Sequence, residues 1–190
     1  MRFFDILLVL ATAPVWAPVA AVVAIVSRIV QGAPVLFLDE RAGKGGRAFR
    51  LVKFRTMRVG DGPDAARLTR FGAFLRKTSL DELPELWNVL KGEMALVGPR
   101  PLPVRYLPRY SAEQRRRHEV LPGLTGWAQV HGRNALDWDE KFRYDIDYVD
   151  NRSFWLDVKI LLMTVVQVAS CRQVSHAGEA TMSEFRGQAN

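Results

Sequence analysis

The sequence predicts an α+β fold in which an N-terminal apolar helix leads into a small domain of short strands and helices. Two observations carry this prediction. No charged residue occurs from position 6 to position 27, whereas acidic and basic residues are dense from Asp39 onward. Beyond that boundary, short segments in which apolar and polar residues alternate, as in strands, are interspersed with segments whose apolar residues have helical spacing. The 190 residues suffice for one domain with its own core and an appendage.

Composition narrows the class of partner. The formal net charge of +7 and the isoelectric point near 10.0 favour a negatively charged partner. Anionic lipid, a nucleotide and a nucleic acid all satisfy that condition, and composition does not choose among them. The single cysteine, Cys171, excludes an internal disulfide and a cysteine-based metal cluster. It is consistent with a reducing compartment.

Three parts follow from these patterns: a membrane-anchoring segment over 1–33, a main domain over 34–175 and a polar tail over 176–190. The uncharged run is long enough for a helix to cross the hydrocarbon of a bilayer. A signal peptide would give way to polar sequence, but here the mostly apolar sequence continues to Leu38. The pattern therefore predicts stable membrane attachment, and the tail is expected to be loosely ordered.

Two prolines lie near the middle of the apolar segment, Pro14 and Pro18. Each removes a backbone donor and crowds the carbonyl four residues earlier, so a sharp bend is expected there. Basic residues lie on both sides, at Arg2 and Arg28 among others, and suit a re-entrant hairpin with both ends on one face of the membrane. A single kinked span is the alternative, and the residues leave it open.

The remaining elements follow from periodicity and from turn residues. The expected strands and helices, in order, are a strand at 34–38, a glycine-rich turn at 39–47, a strand at 48–58, an amphipathic helix at 65–77, a helix from Asp81 to its stop at Gly92, a proline-stiffened loop at 98–103, a basic helix at 106–120, a short strand at 127–130 and a helix at 154–169 capped by Ser153. The amphipathic helix at 65–77 suits either the core or the membrane interface.

Asp81 and Glu82 are the sharpest candidates for chemistry. Pro84 is tolerated only in a first helical turn, which places both carboxylates at the positive end of the helix dipole. One carboxylate can attack a phosphorus atom while its neighbour holds a hard cation. The alternative is helix capping, since Ser79 and Glu82 match the Ser-x-x-Glu capping box.

Four cations are candidates for binding a diphosphate: Lys53, Arg55, Arg76 and Arg100. Arginine pairs with phosphate through its bidentate fork. In a protein of charge +7, each of them is otherwise explained as a solvated surface cation. Arg100 is the strongest candidate because prolines on both sides stiffen its loop. His118 and His131 lack metal-ligand spacing and are assigned structural or surface roles.

Taken together, the chain resembles the bacterial sugar transferase family, the monotopic phosphoglycosyl transferases. The matching blocks lie at 53–57 (KFRTM), 75–92, 96–101 (LVGPRP), 122–127 (PGLTGW) and 145–159. They occur in one order over nearly the whole chain. The short length and the tail motif at 178–182 resemble the small subgroup that contains only the catalytic domain.

The resemblance implies a reaction on UDP-sugar and polyprenyl phosphate with Mg²⁺ as cofactor. Asp81 would be the nucleophile and Glu82 the Mg²⁺ ligand, with Lys53, Arg76 and Arg100 around the phosphates. It further implies an inner-membrane enzyme in contact with membrane lipid, with a re-entrant helix and a cytoplasmic catalytic domain. Nucleic acid is not an expected partner, and a homo-oligomer is left open. Where the family breaks its helix at Ser-Pro, this chain has Ala17-Pro18.

The donor sugar is less defined by the residues. Resemblance to the small subgroup favours an N-acetylated amino sugar such as UDP-diacetamidobacillosamine, and UDP-galactose or UDP-glucose is the alternative. A membrane-anchored basic binding protein, in which Asp81 and Glu82 serve only as caps, is the competing class.

Overall fold

A computed structural model describes residues 2–132, 136–170 and 184–187 and shows a mixed helix and sheet architecture. Its helices and strands are, in chain order, α1 (Arg2–Gln31), β1 (Leu36–Ala42), β2 (Ala48–Phe54), α2 (Asp64–Arg67), α3 (Arg70–Thr78), α4 (Glu85–Lys91), β3 (Ala95–Val97), α5 (Ala112–Arg115), β4 (Gly123–Thr125), α6 (Trp127–His131), α7 (Trp138–Asn151) and α8 (Phe154–Ala169). The α+β class expected from the sequence is therefore confirmed.

Helix α1 is long and apolar enough to cross a membrane, by length and composition. Both Pro14 and Pro18 lie inside it, and helical assignment continues through them. The structure therefore has one continuous helix here, and the re-entrant path stays a prediction. Side chains support the backbone here, since Thr12 Oγ1 donates to Leu8 O at 2.7 Å and Trp16 Nε1 donates to Val9 O at 2.9 Å.

Strands β1 and β2 form an antiparallel hairpin, with Leu36 opposite Phe54 and Ala42 opposite Ala48. The first strand runs four residues past the predicted 34–38 because its charged half still pairs across the hairpin. The second strand ends at Phe54 rather than continuing to 58. Lys53 therefore lies within the sheet, and Arg55 follows its end.

A second small sheet pairs β3 with β4 in parallel. Loops from the two strands approach so closely that a Cβ on Gly98 would lie 2.4 Å from Leu121 O, and one on Gly126 would lie 2.2 Å from Gly98 O. The strand predicted at 127–130 was wrong, because those residues form α6 and the strand lies just before them. Trp127 and Val130 are one helical turn apart. A segment of four residues is too short to distinguish this helical spacing from the alternation of a strand.

The helix predicted at 65–77 is divided in two, which corrects the prediction. Thr69 takes an extended conformation between α2 and α3, and its hydroxyl caps α3 by accepting from Gly72 N. Thr69 N also donates to Thr56 O at 3.2 Å, so pairing with the segment that follows β2 replaces continued helix here. Within the predicted helix 106–120, α5 is the only α-helical piece, and 3₁₀ turns flank it.

Asn88 ties α4 to the hairpin. Its side chain is fully buried; it accepts from Val52 N at 3.1 Å and donates to Arg50 O at 2.8 Å. Around this link lies the main core, in which residues of α1, β2, α4, β3, α7 and α8 meet. The sheet hairpin and the start of α4 are thereby held in one fixed arrangement, which positions the site described below.

The tail was expected to be loosely ordered, and its described part is packed instead. Phe185 is buried in an aromatic cluster with Tyr106, Tyr110 and Phe142. Arg109 donates to the carbonyl of Phe185. Burial of Phe185 thus supplies apolar contact that holds 184–187 on the domain. The other residues of the predicted tail lie outside the described part.

Candidate active site

Asp81 and Glu82 lie on a 3₁₀ turn, Leu80–Glu82, between α3 and α4. The capping alternative is not supported at Ser79. That residue adopts the left-handed conformation with φ 56°, ends α3, and makes no side-chain cap hydrogen bond. An N-cap side chain requires extended backbone, so the left-handed turn removes Ser79 from that role. Helix α4 begins at Glu85, three residues after Glu82, rather than at Asp81 as predicted.

Glu82 is held by two cations. Its Oε1 accepts from Lys53 Nζ at 3.0 Å and from Arg100 Nη2 at 2.7 Å. Burial alone would raise the pKa of the Glu82 carboxyl, but the charges and hydrogen bonds of Arg100 and Lys53 lower it well below its ordinary value. Glu82 is therefore a fixed carboxylate at neutral pH.

Asp81 has a different environment. Its side chain is buried, and the described part of the chain offers its carboxylate no hydrogen bond or ion pair. Burial, followed by the charge of Glu82, raises the pKa of Asp81, while Lys53, Arg100 and Arg76 oppose that rise. The ionised form of Asp81 is therefore less stabilised by solvent than the carboxylate of an exposed aspartate.

Glu85 is a third carboxylate of this cluster, and the sequence analysis did not single it out. Its side chain is 2% exposed, and Oε1 lies 2.8 Å from Lys53 Nζ without a well-directed hydrogen bond. Burial raises the pKa of Glu85 to about 7, against the lowering effect of Lys53 and with a further rise from Glu82. The three-residue spacing from Glu82 to Glu85 was the available signal, since such positions share a helix face.

Arg100 owes its position to a buried ion pair that the sequence analysis also missed. Arg117 Nη2 donates to Arg100 O at 2.7 Å and to Asp145 Oδ2 at 2.7 Å. The side chains of Arg117 and Asp145 are 2% and 5% exposed. No sequence signal links these two residues, because 28 positions and several turns separate them.

The other two predicted cations differ in placement. Arg76 lines the same cavity as Asp81, and its Nε donates to Thr56 Oγ1 at 3.0 Å. Arg55 also borders that cavity, but its guanidinium is buried and donates to backbone carbonyls, including Pro34 O at 2.6 Å and Gln31 O at 2.6 Å. This geometry argues for a structural role of Arg55 at the end of α1, so its assignment to phosphate is the weakest of the four.

Of the two histidines assigned structural or surface roles, His118 is buried and His131 is exposed. His118 is buried and donates through Nδ1 to Gly43 O at 3.1 Å, and burial lowers its pKa to about 4. His131 Nδ1 lies 2.9 Å from Trp127 O.

An open cavity of about 1350 Å³ joins these groups. Its walls include Lys53, Arg76, Asp81, Glu82 and Arg100. The cavity thus places a buried carboxylate beside a fixed one and surrounds both with positive charge. That arrangement can hold a phosphate ester and present a nucleophile to it.

The carboxylates of this cavity are the candidate ligands for a metal ion. No group of three or more potential metal-ligating side chains occurs within 2–132, 136–170 and 184–187. Mg²⁺ is commonly held by one or two carboxylates, with substrate phosphates and waters completing its shell. Glu82 can therefore supply one ligand to an ion that arrives with a diphosphate, and the described side chains form no preassembled cage.

We predict that Glu85→Gln stabilises the protein relative to the parent as pH rises. An unfolded glutamate ionises near pH 4.5, whereas Glu85 in the fold ionises near 7. Between those values the folded parent binds more protons than the unfolded chain, so its stability falls as pH increases. The variant cannot ionise, and its relative gain should reach on the order of 3 kcal/mol above pH 7.

Denaturant titrations of both proteins in micelles between pH 4.5 and 8 measure this gain. Glu113→Gln, at an exposed position of α5, is the matched control and should show no comparable trend. A pH-independent difference between Glu85→Gln and the parent would contradict the prediction.

Comparison with known proteins places the chain among sugar transferases. The family model described as "Bacterial sugar transferase" matches residues 1–171. The uncharacterized sugar transferase EpsL of Bacillus subtilis is 51% identical over 168 residues, which cover 85% of this chain and 83% of EpsL.

Two further relatives have names that state an activity. The UDP-glucose:undecaprenyl-phosphate glucose-1-phosphate transferase of Xanthomonas campestris is 40% identical over 180 residues, covering 86% of this chain and 37% of the relative. The UDP-N-acetylgalactosamine-undecaprenyl-phosphate N-acetylgalactosaminephosphotransferase of Aeromonas hydrophila is 39% identical over 178 residues, covering 86% and 42%. The chain thus spans well under half the length of these two.

Proposed function

Because the chain belongs to the bacterial sugar transferase family, we propose that it transfers a sugar-1-phosphate from a UDP-sugar to polyprenyl phosphate. The products are UMP and a polyprenyl diphosphate-sugar, the first membrane step of glycoconjugate assembly. One observation supports this most directly: Asp81 is buried without a partner among the described residues, beside a Glu82 that two cations hold in place. Relatives named for the same reaction with glucose and N-acetylgalactosamine donors add to it.

The proposed mechanism has two displacements at one carboxylate. A carboxylate oxygen of Asp81 attacks the β-phosphorus of the UDP-sugar, and the bond from that phosphorus to the bridging oxygen breaks. UMP leaves with the bridging oxygen, and the sugar phosphate remains on Asp81 as an acyl phosphate. A phosphate oxygen of the acceptor then attacks the same phosphorus, which releases the carboxylate and forms the diphosphate.

The cations stabilise charge that develops during both displacements. Arg100 and Lys53 already contact Glu82, and Arg76 lines the same cavity, so all three lie where a diphosphate would bind. Glu82, with the diphosphate oxygens, would hold Mg²⁺, which neutralises phosphate charge when bound.

A membrane position suits this chemistry. The acceptor keeps its phosphate at the interface, so a site beside α1 reaches it without drawing the lipid into water. We place the catalytic domain on the cytoplasmic face of the inner membrane, with α1 re-entrant. Labels at Met1 and Asn190 test this topology, because a re-entrant helix keeps both on the cytoplasmic side and a spanning helix separates them.

The reaction is tested by UMP release from a panel of UDP-sugars with Mg²⁺ and undecaprenyl phosphate. The panel should contain glucose, galactose, N-acetylgalactosamine and diacetamidobacillosamine donors. The amino-sugar donor is the one favoured by resemblance to the small subgroup, and the hexoses are its rivals. A basic nucleic-acid binder, the competing class, would release UMP from none of them.

We predict that removing divalent cations stops UMP release. Chelation with EDTA should abolish the activity and added MgCl₂ should restore it, because the carboxylates leave most of the ion's shell to the substrate. Glu82→Gln should raise the Mg²⁺ concentration for half-maximal rate, whereas Glu113→Gln should not. Full activity in EDTA would contradict a metal requirement.

A further inference from the structure

An apolar groove runs between the second half of α1 and α3. Six of its lining residues matter here: Val22 and Val23 of α1, Phe71, Phe74 and Leu75 of α3, and Leu80. The groove has a volume of about 400 Å³ and presents no polar surface. Water in this apolar groove would lack hydrogen-bond partners on the protein, which is unfavourable, so an apolar occupant is expected.

The groove has a packed floor and open walls. Val23 and Leu75 are 7% and 0% exposed and belong to a core cluster with Phe54. Val22 and Phe74 are 59% and 51% exposed at the rim. The floor therefore fixes the groove's shape, while its opening faces the same surroundings as the apolar face of α1.

The groove adjoins the turn that carries the two active-site carboxylates. Leu80, which lines the groove, is the first residue of the turn that carries Asp81 and Glu82. Arg76, on the last turn of α3, lines the catalytic cavity on the other side of this turn. The charged catalytic cavity and the apolar groove thus lie next to each other. A ligand in which a phosphate is attached directly to a long apolar chain matches both surfaces.

We propose that this groove receives the first isoprene units of the polyprenyl phosphate acceptor. The inference rests on the proposed function and adds to it the location of the bound acceptor. The phosphate sits at Asp81 among the cations, and the chain leaves past Leu80 between Phe71 and Val22 toward the bilayer.

The test is Val22→Trp, which fills the groove from an exposed position. We expect the KM for undecaprenyl phosphate in nanodiscs to rise at least about tenfold, since losing two buried methylene groups has that effect. The single-turnover burst of UMP formed without acceptor should be unchanged. Val30→Trp is the matched control, because Val30 lies on the same helix, is also 59% exposed and does not line the groove.

Phe74→Ala is a second variant, which removes a groove wall, and it should raise the same KM while sparing the burst. Unchanged KM in both variants overturns the groove assignment. Failure of the parent to release UMP from any UDP-sugar overturns the proposed function instead, so the two failures are distinguishable.

An ordinary phospholipid is the alternative occupant. A diazirine on the first isoprene unit of undecaprenyl phosphate should label peptides that contain Val22, Phe71 or Phe74, and excess unlabelled acceptor should suppress that labelling. Labelling of the same peptides by a diacyl phospholipid probe that excess undecaprenyl phosphate does not reduce would overturn the proposal.

Discussion

Replacing Asp81 with asparagine should lower turnover by about 10⁴- to 10⁶-fold, the range seen when a nucleophile is removed from an enzyme. The amide keeps the size of the carboxyl group, and Asp81 makes no ion pair among the described residues, so the fold should survive. The variant should also fail to retain label from a donor with ³²P at the β-phosphate, whereas the parent forms a labelled protein in the absence of acceptor.

Asp61→Asn is the control for this experiment, because Asp61 lies exposed in the loop before α2. Its turnover and labelling should equal those of the parent. Near-normal turnover of Asp81→Asn would exclude the covalent mechanism. A variant that lost turnover but still accumulated labelled protein would move the nucleophile to another residue.

Asp145→Asn should destabilise the protein by about 3 to 5 kcal/mol. The change leaves Arg117 charged and buried without its counter-ion, which is the costly way to disrupt a buried pair. Denaturant titration in micelles measures the loss. Because Arg117 also donates to Arg100 O, the active-site arginine should lose part of its support in the same variant.

A neighbouring pair supplies the control. Arg116 pairs with Asp150 on the surface, so Asp150→Asn should cost only about 0 to 1 kcal/mol. The double change Arg117→Met with Asp145→Leu should recover much of the stability, since no unpaired charge remains. Its kcat/KM should still fall on the order of 10²-fold, because Arg100 is no longer held. An equal stability loss in Asp145→Asn and Asp150→Asn would contradict this account.

Local patterns determined much of the fold in advance. The apolar run gave a long N-terminal helix, and Ser153 caps α8, where its Oγ accepts from Leu156 N. Strands on both sides of a glycine-rich turn were expected at 34–38 and 48–58, although their pairing was not, and Gly92 ends α4 with φ 81° as expected of a helix stop. These features depend on residues close together in the chain, where propensity and capping act directly.

The candidate site was only partly open to the same reasoning. Asp81, Glu82, Lys53 and Arg100 were all singled out from sequence, and the structure brings them into one cluster. The division of roles within the cluster was not visible, because burial and charge contacts decide which carboxylate is fixed and which is left without partners. Arg55 was also singled out from sequence, but in the structure its guanidinium donates to backbone carbonyls, which argues for a structural role.

The sequence by itself determined the long apolar N-terminal helix, most of the element types outside 106–120 and 127–130, and the pair of adjacent carboxylates. Only the tertiary structure decided that Glu85 joins them, that Arg117 and Asp145 hold Arg100, and that Phe185 fastens the described part of the tail. Each of these contacts joins residues through packing rather than through local spacing. The energies of these contacts depend on burial. Burial arises only when the folded chain brings the groups together, so local sequence patterns do not reveal it.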